Sequence, residues 1–107
     1  MDKSISVKEL KNLDDNKEEF ILLDVRTDAE VLQSKIPIDS MHIPMNEIPN
    51  RITELDKNKN IIVYCKSGKR SQRVCDYLIQ NNFKNIQNLD GGILAWANKI
   101  DPTLLIF

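Results

Sequence analysis

The chain lacks any long apolar run and any excess of one charge, and it is poor in histidine, tryptophan, cysteine and glycine. Its 107 residues include one His, one Trp, two Cys and three Gly. Each scarcity closes off a class of function. No apolar stretch approaches the ~20 residues a bilayer-crossing helix needs, so no membrane span is expected. Fifteen basic against sixteen acidic side chains leave a net charge of −1. Nothing global therefore draws the molecule to nucleic acid or to an anionic membrane, and electrostatic steering has to be local. No metal-ligand spacing and no nucleotide loop are present, so no cofactor is expected. Two cysteines, behind an opening Met1-Asp2-Lys3-Ser4-Ile5-Ser6 without an apolar targeting region, imply a cytoplasmic protein in a reducing compartment with no structural disulfide. The chain is long enough to bury a core without staples and too short for a second one, so residues 1–107 are expected to form a single domain. No repeat, linker or low-complexity segment interrupts it, and a monomer is the expectation.

What is present is an alternation of strand and helix signals. Ser6 with Glu9 forms a capping-box pattern ahead of Val7, Leu10 and Leu13, which predicts a short helix. Phe20-Ile21-Leu22-Leu23 is a continuous apolar run ending in Asp24-Val25-Arg26, the pattern of a strand covered on both faces and expected at the sheet centre. Thr27 with Glu30 opens a second short helix through Leu32. Met41-His42-Ile43 reads as a short strand ended by Pro44. The segment 46–55 reads as helical after Pro49. Ile61 to Tyr64 is a buried strand, Ser71 to Gln80 a helix capped by Ser71, Asn85 to Leu89 a short strand, and Gly91-Gly92 a turn into Ile93-Leu94-Ala95-Trp96. This order predicts an α/β fold with a mostly parallel central sheet of about five short strands and helices on both faces.

Cys65 is the most informative residue, because it closes the run Ile61-Ile62-Val63-Tyr64 and opens Lys66-Ser67-Gly68-Lys69-Arg70-Ser71. In a strand–loop–helix turn, the loop N–H groups and the helix N-terminus converge on one spot and favour negative charge there. A thiolate suits that spot, and Lys66, Lys69 and Arg70 add positive charge, so Cys65 should ionise below the ordinary thiol range and act as a nucleophile. The bland alternative is a buried strand-end cysteine acting as a small hydrophobe. Active sites of such sheets lie beyond the carboxyl ends of the strands, where Cys65 sits.

Four segments carry a resemblance to a known family: Leu22-Leu23-Asp24-Val25-Arg26; His42-Ile43-Pro44; Ile62 through Ser71; and Asn88-Leu89-Asp90-Gly91-Gly92-Ile93-Leu94-Ala95-Trp96. In their order and spacing they resemble single-domain rhodanese-like sulfurtransferases over almost the whole length. The tail Trp96 to Pro102 and the compressed Ile36 to Pro44 look most like the rhodanese domain at the C-terminus of adenylyltransferase–sulfurtransferases, although Ser40-Met41 precedes His42 where Gly is common. The resemblance implies a rhodanese-like fold and a ping-pong sulfur transfer. Thiosulfate or a persulfide donor loads Cys65 as a persulfide, the N–H groups of Lys66, Ser67, Gly68, Lys69, Arg70 and Ser71 cradle the negative sulfur, and Lys69 and Arg70 bind the anionic end of the donor. A thiol, or a ubiquitin-like sulfur-carrier protein, is the implied acceptor.

The remaining polar residues are read structurally. Asp24 is expected to support the site by accepting loop N–H bonds, since a carboxylate beside the thiolate would oppose its ionisation. Arg26 is expected to pair with a carboxylate such as Glu30. His42 tempts a Cys–His dyad reading, but a packed histidine is preferred. Cys75 as a resolving thiol is set against a small buried helix residue, which is preferred. Met41, Met45 and Trp96 are assigned to packing, and the runs 14–19 and 56–60 to solvated loops. The apolar end Leu104-Leu105-Ile106-Phe107 is left between packing on the domain and reaching a partner. Three function classes follow: a sulfurtransferase; a phosphatase or arsenate reductase; and a non-catalytic interaction module. Phosphatases of this kind place five residues between Cys and Arg, whereas four separate Cys65 from Arg70 here. An interaction module would have no need of Cys65.

Overall fold

The computed structural model describes residues 3–106. Five strands, β1 (Ser4–Ile5), β2 (Ile21–Asp24), β3 (Ser40–His42), β4 (Ile61–Tyr64) and β5 (Ile86–Leu89), form one sheet in the order β1-β5-β4-β2-β3. All four pairings are parallel. The expected sheet centre is corrected by one strand: β4 occupies the middle, and β2 lies between it and the edge strand β3. Both are apolar runs, so alternation alone did not rank them; β4, buried at all four positions, is the more enclosed. Strand β1 carries no sequence signal at two residues, and it exists because Ser4 and Ile5 register against Asn88 and Leu89.

The helices are α1 (Val7–Asp15), α2 (Asp28–Gln33), α3 (Ile48–Arg51), α4 (Lys69–Gln80) and α5 (Gly92–Lys99). Ser6–Glu9 and Thr27–Glu30 both form complete capping boxes. Pro49 sits in the first turn of α3, where a missing N–H breaks no helical bond, so the helix begins at Ile48, one residue before the proline. Flanking 3₁₀ turns extend it from Met45 to Glu54.

Alternate side chains of the central strands point to opposite faces and build two cores. Leu23, Val25, Ile61 and Val63 pack with Ile48, Val74, Leu78 and Phe83 on the face covered by α3 and α4. Leu22, Ile62 and Tyr64 pack with Val7, Leu10, Ile93 and Trp96 on the face covered by α1 and α5. Met41 and Met45 border the first core. Leu104 and Ile106 pack against the second, so the tail folds back on the sheet's α1/α5 side, while Phe107 lies outside the described residues. No described helix is long and apolar enough to cross a membrane.

Arg26 ties the end of β2 to α2, and does so otherwise than expected. Arg26 is buried and bonds Asp24, not Glu30: Nε lies 3.0 Å from Oδ1 and Nη2 2.9 Å from Oδ2. Burial works against the guanidinium charge, and the Asp24 bonds outweigh it. Arg26 also donates to Ser34 O at 2.8 Å and lies over the Tyr64 ring at 5.3 Å, pinning the end of α2 to the sheet. In the turn from β2 to α2, the Asp24 side chain accepts the Arg26 N–H at 3.0 Å. Its support therefore goes to Arg26 and the β2 end rather than, as expected, to the 66–71 loop. His42 is half-buried with Nε2 2.7 Å from Arg26 O, a packing role as expected.

Candidate active site

Cys65 follows the central strand, and everything around its sulfur is set by where the next six residues send their peptide groups. Gly68 adopts φ +102° and begins α4 as its N-cap, so the helix starts two residues earlier than expected. Ser71 is consequently not the cap but lies inside the first turn, fully buried. The expectation failed because a positive-φ glycine can cap a helix without a side-chain oxygen. The Gly68 N–H donates to Cys65 Sγ at 3.1 Å and the Ser71 N–H at 3.4 Å. The Ser71 hydroxyl lies 3.3 Å from the sulfur.

The loop is held in this posture from behind. Ile93 N donates to Cys65 O at 3.0 Å and Leu94 N to Lys66 O at 3.1 Å. Those two donors are orphan N–H groups of the first turn of α5. With its carbonyls drawn outward to α5, the loop turns N–H groups inward to the sulfur. The close approach requires Gly92 (φ +59°), where a Cβ would stand 2.5 Å from the carbonyl oxygens of both Cys65 and Lys66.

Asn88 on β5 joins the candidate site, and sequence reasoning missed it. It is buried, accepts the Ser71 hydroxyl at Oδ1 (2.5 Å), and donates from Nδ2 to Gly68 O (3.0 Å) and Gln72 Oε1 (3.3 Å). It stood inside one of the family-like segments without a role. The available signal was a polar, strand-averse residue between Ile86 and Leu89 in a buried strand.

The serine hydroxyl has one proton and two claimants. With Cys65 as a neutral thiol, S–H can donate to Ser71 Oγ while Oγ–H donates to Asn88. With Cys65 as a thiolate, the hydroxyl can turn its proton to the sulfur. Burial pushes the Cys65 thiol up, but the Ser71 hydroxyl and the N–H groups of Ser71, Gly68 and Ser67 more than reverse this, leaving it below its ordinary value. The expected mechanism of that lowering is corrected in emphasis: hydrogen bonds, rather than the lysines, lead it. Cys75 is the internal contrast. It is equally buried, has only its own backbone N–H to offset that burial, and is pushed up to about 12 by burial and then by Asp76.

The flanking cations are unequally placed. Lys69 is exposed at the start of α4, and Lys66 is half-buried. Arg70 points to α2, with Nη1 2.7 Å from Glu30 Oε1 and Nη2 2.9 Å from Oε2. The Glu30 partner expected for Arg26 thus belongs to Arg70. The four-residue spacing of Arg26 and Glu30 suggested a helical pair, but Arg26 precedes the N-cap Thr27 and lies outside α2, so helical neighbourhood does not join them.

A parallel sheet ending in a cysteine-centred N–H cradle defines a class, and comparison with known proteins specifies it. Residues 6–99 match the rhodanese-like domain model. The chain belongs to the rhodanese-like family. It is 45% identical over 80 residues to a sulfurtransferase of Allochromatium vinosum, covering 75% of this chain and 74% of that one. The solved structure of a rhodanese-like domain protein from Staphylococcus aureus superposes with a TM-score of 0.84 at 36% identity, covering 98% of both chains. The likeness to the adenylyltransferase branch also holds, at lower identity: the adenylyltransferase and sulfurtransferase MOCS3 of Arabidopsis thaliana is 32% identical over 114 residues, covering 92% of this chain and 24% of that protein. Sulfur transfer in general is the activity that the names of the Allochromatium and Arabidopsis relatives give.

Proposed function

We propose that the protein transfers sulfane sulfur through a persulfide on Cys65. The observation that carries this reading is the contrast between two buried cysteines: among the described residues, Cys65 has the Gly68 and Ser71 N–H groups and the Ser71 hydroxyl at its sulfur, whereas Cys75 has only its own N–H to offset burial. Such donors favour a thiolate without a general base. With thiosulfate as donor, the Cys65 thiolate attacks the outer sulfur. A new S–S bond forms at Sγ, the S–S bond of thiosulfate breaks, and its electron pair leaves on sulfite. The terminal sulfur of the persulfide is then attacked by an acceptor thiol, of a small molecule or of a protein partner, which becomes the persulfide while Cys65 leaves as thiolate. The inward N–H groups of Ser67, Gly68 and Ser71 stabilise the negative sulfur at each stage. A single 107-residue domain acting as a monomer in a reducing, cytoplasmic setting accommodates this chemistry, with no cofactor required.

Oxyanion hydrolysis fits less well. Four residues between Cys65 and Arg70 make a smaller ring than phosphate or arsenate needs, and the Arg70 fork that would clasp the oxyanion is turned to Glu30. Intact mass after incubation with thiosulfate tests the choice. The wild type and Cys75→Ser should gain one sulfur atom, Cys65→Ser none while keeping its circular dichroism. Absence of the adduct in the wild type, together with cleavage of an aryl phosphate, would transfer the protein to the hydrolytic class.

A further inference from the structure

We propose that Glu30 sets donor choice: by holding Arg70 in a two-pronged ion pair it cancels the guanidinium charge beside the Cys65 loop, disfavouring dianionic thiosulfate relative to an alkyl persulfide without a sulfonate. This rests on the persulfide chemistry above and adds to it a specificity-determining residue outside the loop.

Both prongs are made, at 2.7 and 2.9 Å, and they join α2 to the first turn of α4. Such a fork uses the geometry by which arginine would otherwise grip a sulfonate. The two side chains are 31% and 24% exposed, so solvent screens the pair less than one on the open surface. Glu30 is not a swinging partner, because Oε1 also accepts from the Thr27 N–H at 3.2 Å and the Thr27 hydroxyl at 3.1 Å. The Arg70 bonds, chiefly, hold the Glu30 carboxyl at about 2, so it is charged at every working pH. The Arg70 guanidinium is itself favoured first by Glu30 and also by the charge of Cys65, which places it within electrostatic reach of the sulfur. A structural need for the charge is absent from α2: the helix buries none of its residues, and glutamine closes a capping box as well as glutamate does.

The two donors load the same sulfur and differ in what leaves. Thiosulfate brings two negative charges and expels sulfite with the electron pair of its S–S bond. An alkyl persulfide brings one and expels an alkyl thiolate in the same way, Cys65 becoming the persulfide in both. A rim whose guanidinium is already neutralised costs the dianion more attraction than the monoanion.

The test is the second-order rate constant for sulfur loading of Cys65, read by intact mass, with thiosulfate and with a small alkyl persulfide. It is measured for wild type, Glu30→Gln, Glu30→Ala and Glu30→Gln combined with Arg70→Ala. The thiosulfate-to-persulfide ratio should rise roughly three- to tenfold in both single variants, the range expected when one charged, partly exposed ion pair is released to a ligand. Thiosulfate loading should also become more sensitive to ionic strength, and the gain should vanish in the double variant. Near-ultraviolet circular dichroism matching wild type confirms that both single variants fold. Unchanged ratios in the folded variants, or a gain that survives loss of Arg70, overturn the role of Glu30 alone. Failure of the wild type to load from either donor overturns the persulfide chemistry, and this inference with it.

Discussion

Substituting Gly92 by alanine should damage the active-site loop from a residue that never touches the sulfur. The added Cβ would lie 2.5 Å from Cys65 O, 2.5 Å from Lys66 O and 2.7 Å from the Lys66 carbonyl carbon. All three are backbone atoms of the loop, so no flexible side chain can yield. The φ of +59° adds the ordinary left-handed penalty for an L-residue, about 1–2 kcal/mol. Relieving the contacts by moving the loop is an overpacking cost of about 1–3 kcal/mol. Together these amount to about 2–5 kcal/mol, against the ~5–15 kcal/mol typical of a domain. Relief also has a direction. Moving the carbonyls of Cys65 and Lys66 away from α5 loosens the Ile93 and Leu94 hydrogen bonds that turn the loop N–H groups inward. Gly92→Ala should therefore lower stability in urea melts and raise the pH at which Cys65 reacts with iodoacetamide. Gly68→Ala provides the reference, since its Cβ meets nothing nearer than 3.5 Å and costs backbone strain alone at φ +102°. A Gly92→Ala protein as stable as Gly68→Ala, with wild-type thiol reactivity, would refute the reasoning.

Ser71→Ala removes the hydroxyl that can donate to the thiolate, while the Ser71 N–H remains. The folded thiol lies below its ordinary value, so reactivity is present above that lowered pKa and lost below it. The variant's alkylation profile should move to higher pH by about one unit, as loss of one charge-assisted bond of ~1.5 kcal/mol predicts; an unmoved profile would assign the lowering to the backbone alone. Asp24→Asn leaves the buried Arg26 without its counter-charge, and unfolding free energy should fall by about 3–5 kcal/mol in urea melts. A loss under ~1 kcal/mol would mean that water reaches Arg26 in the variant.

The fold was legible because its signals are local. Two capping boxes, two short apolar runs and a thiol at a strand end each arise within a few neighbouring residues, and the structure keeps both boxes and all three features. What the sequence hid is whatever depends on segments distant in the chain. Strand β1 is two residues long and is made by its partner β5. The start of α4 turned on whether Gly68 or Ser71 capped it, and glycine won because its positive φ lets the chain enter the helix directly. Asn88 lies 17 residues from Ser71, and Glu30 lies 40 from Arg70. Neither separation carries a periodicity that a single sequence reveals.

These distant contacts also explain why a 1% exposed cysteine is not merely a core residue. Burial drives a thiol toward neutrality, and at Cys75 it is the leading cause, ahead of Asp76, of a raised pKa. For Cys65 the same burial removes competing water from N–H and O–H donors already aimed at the sulfur, and hydrogen bonds are stronger in a low-dielectric site. Two separate elements keep those donors aimed. From β5, Asn88 binds Gly68 O and the Ser71 hydroxyl; from α5, the first-turn N–H groups bind the carbonyls of Cys65 and Lys66. The loop is therefore shaped by contacts on its outer side, which leaves its inner side for the sulfur. Preorganisation of this kind favours negative charge on sulfur whether it sits on Sγ or on the next atom out, as both halves of a sulfur transfer require.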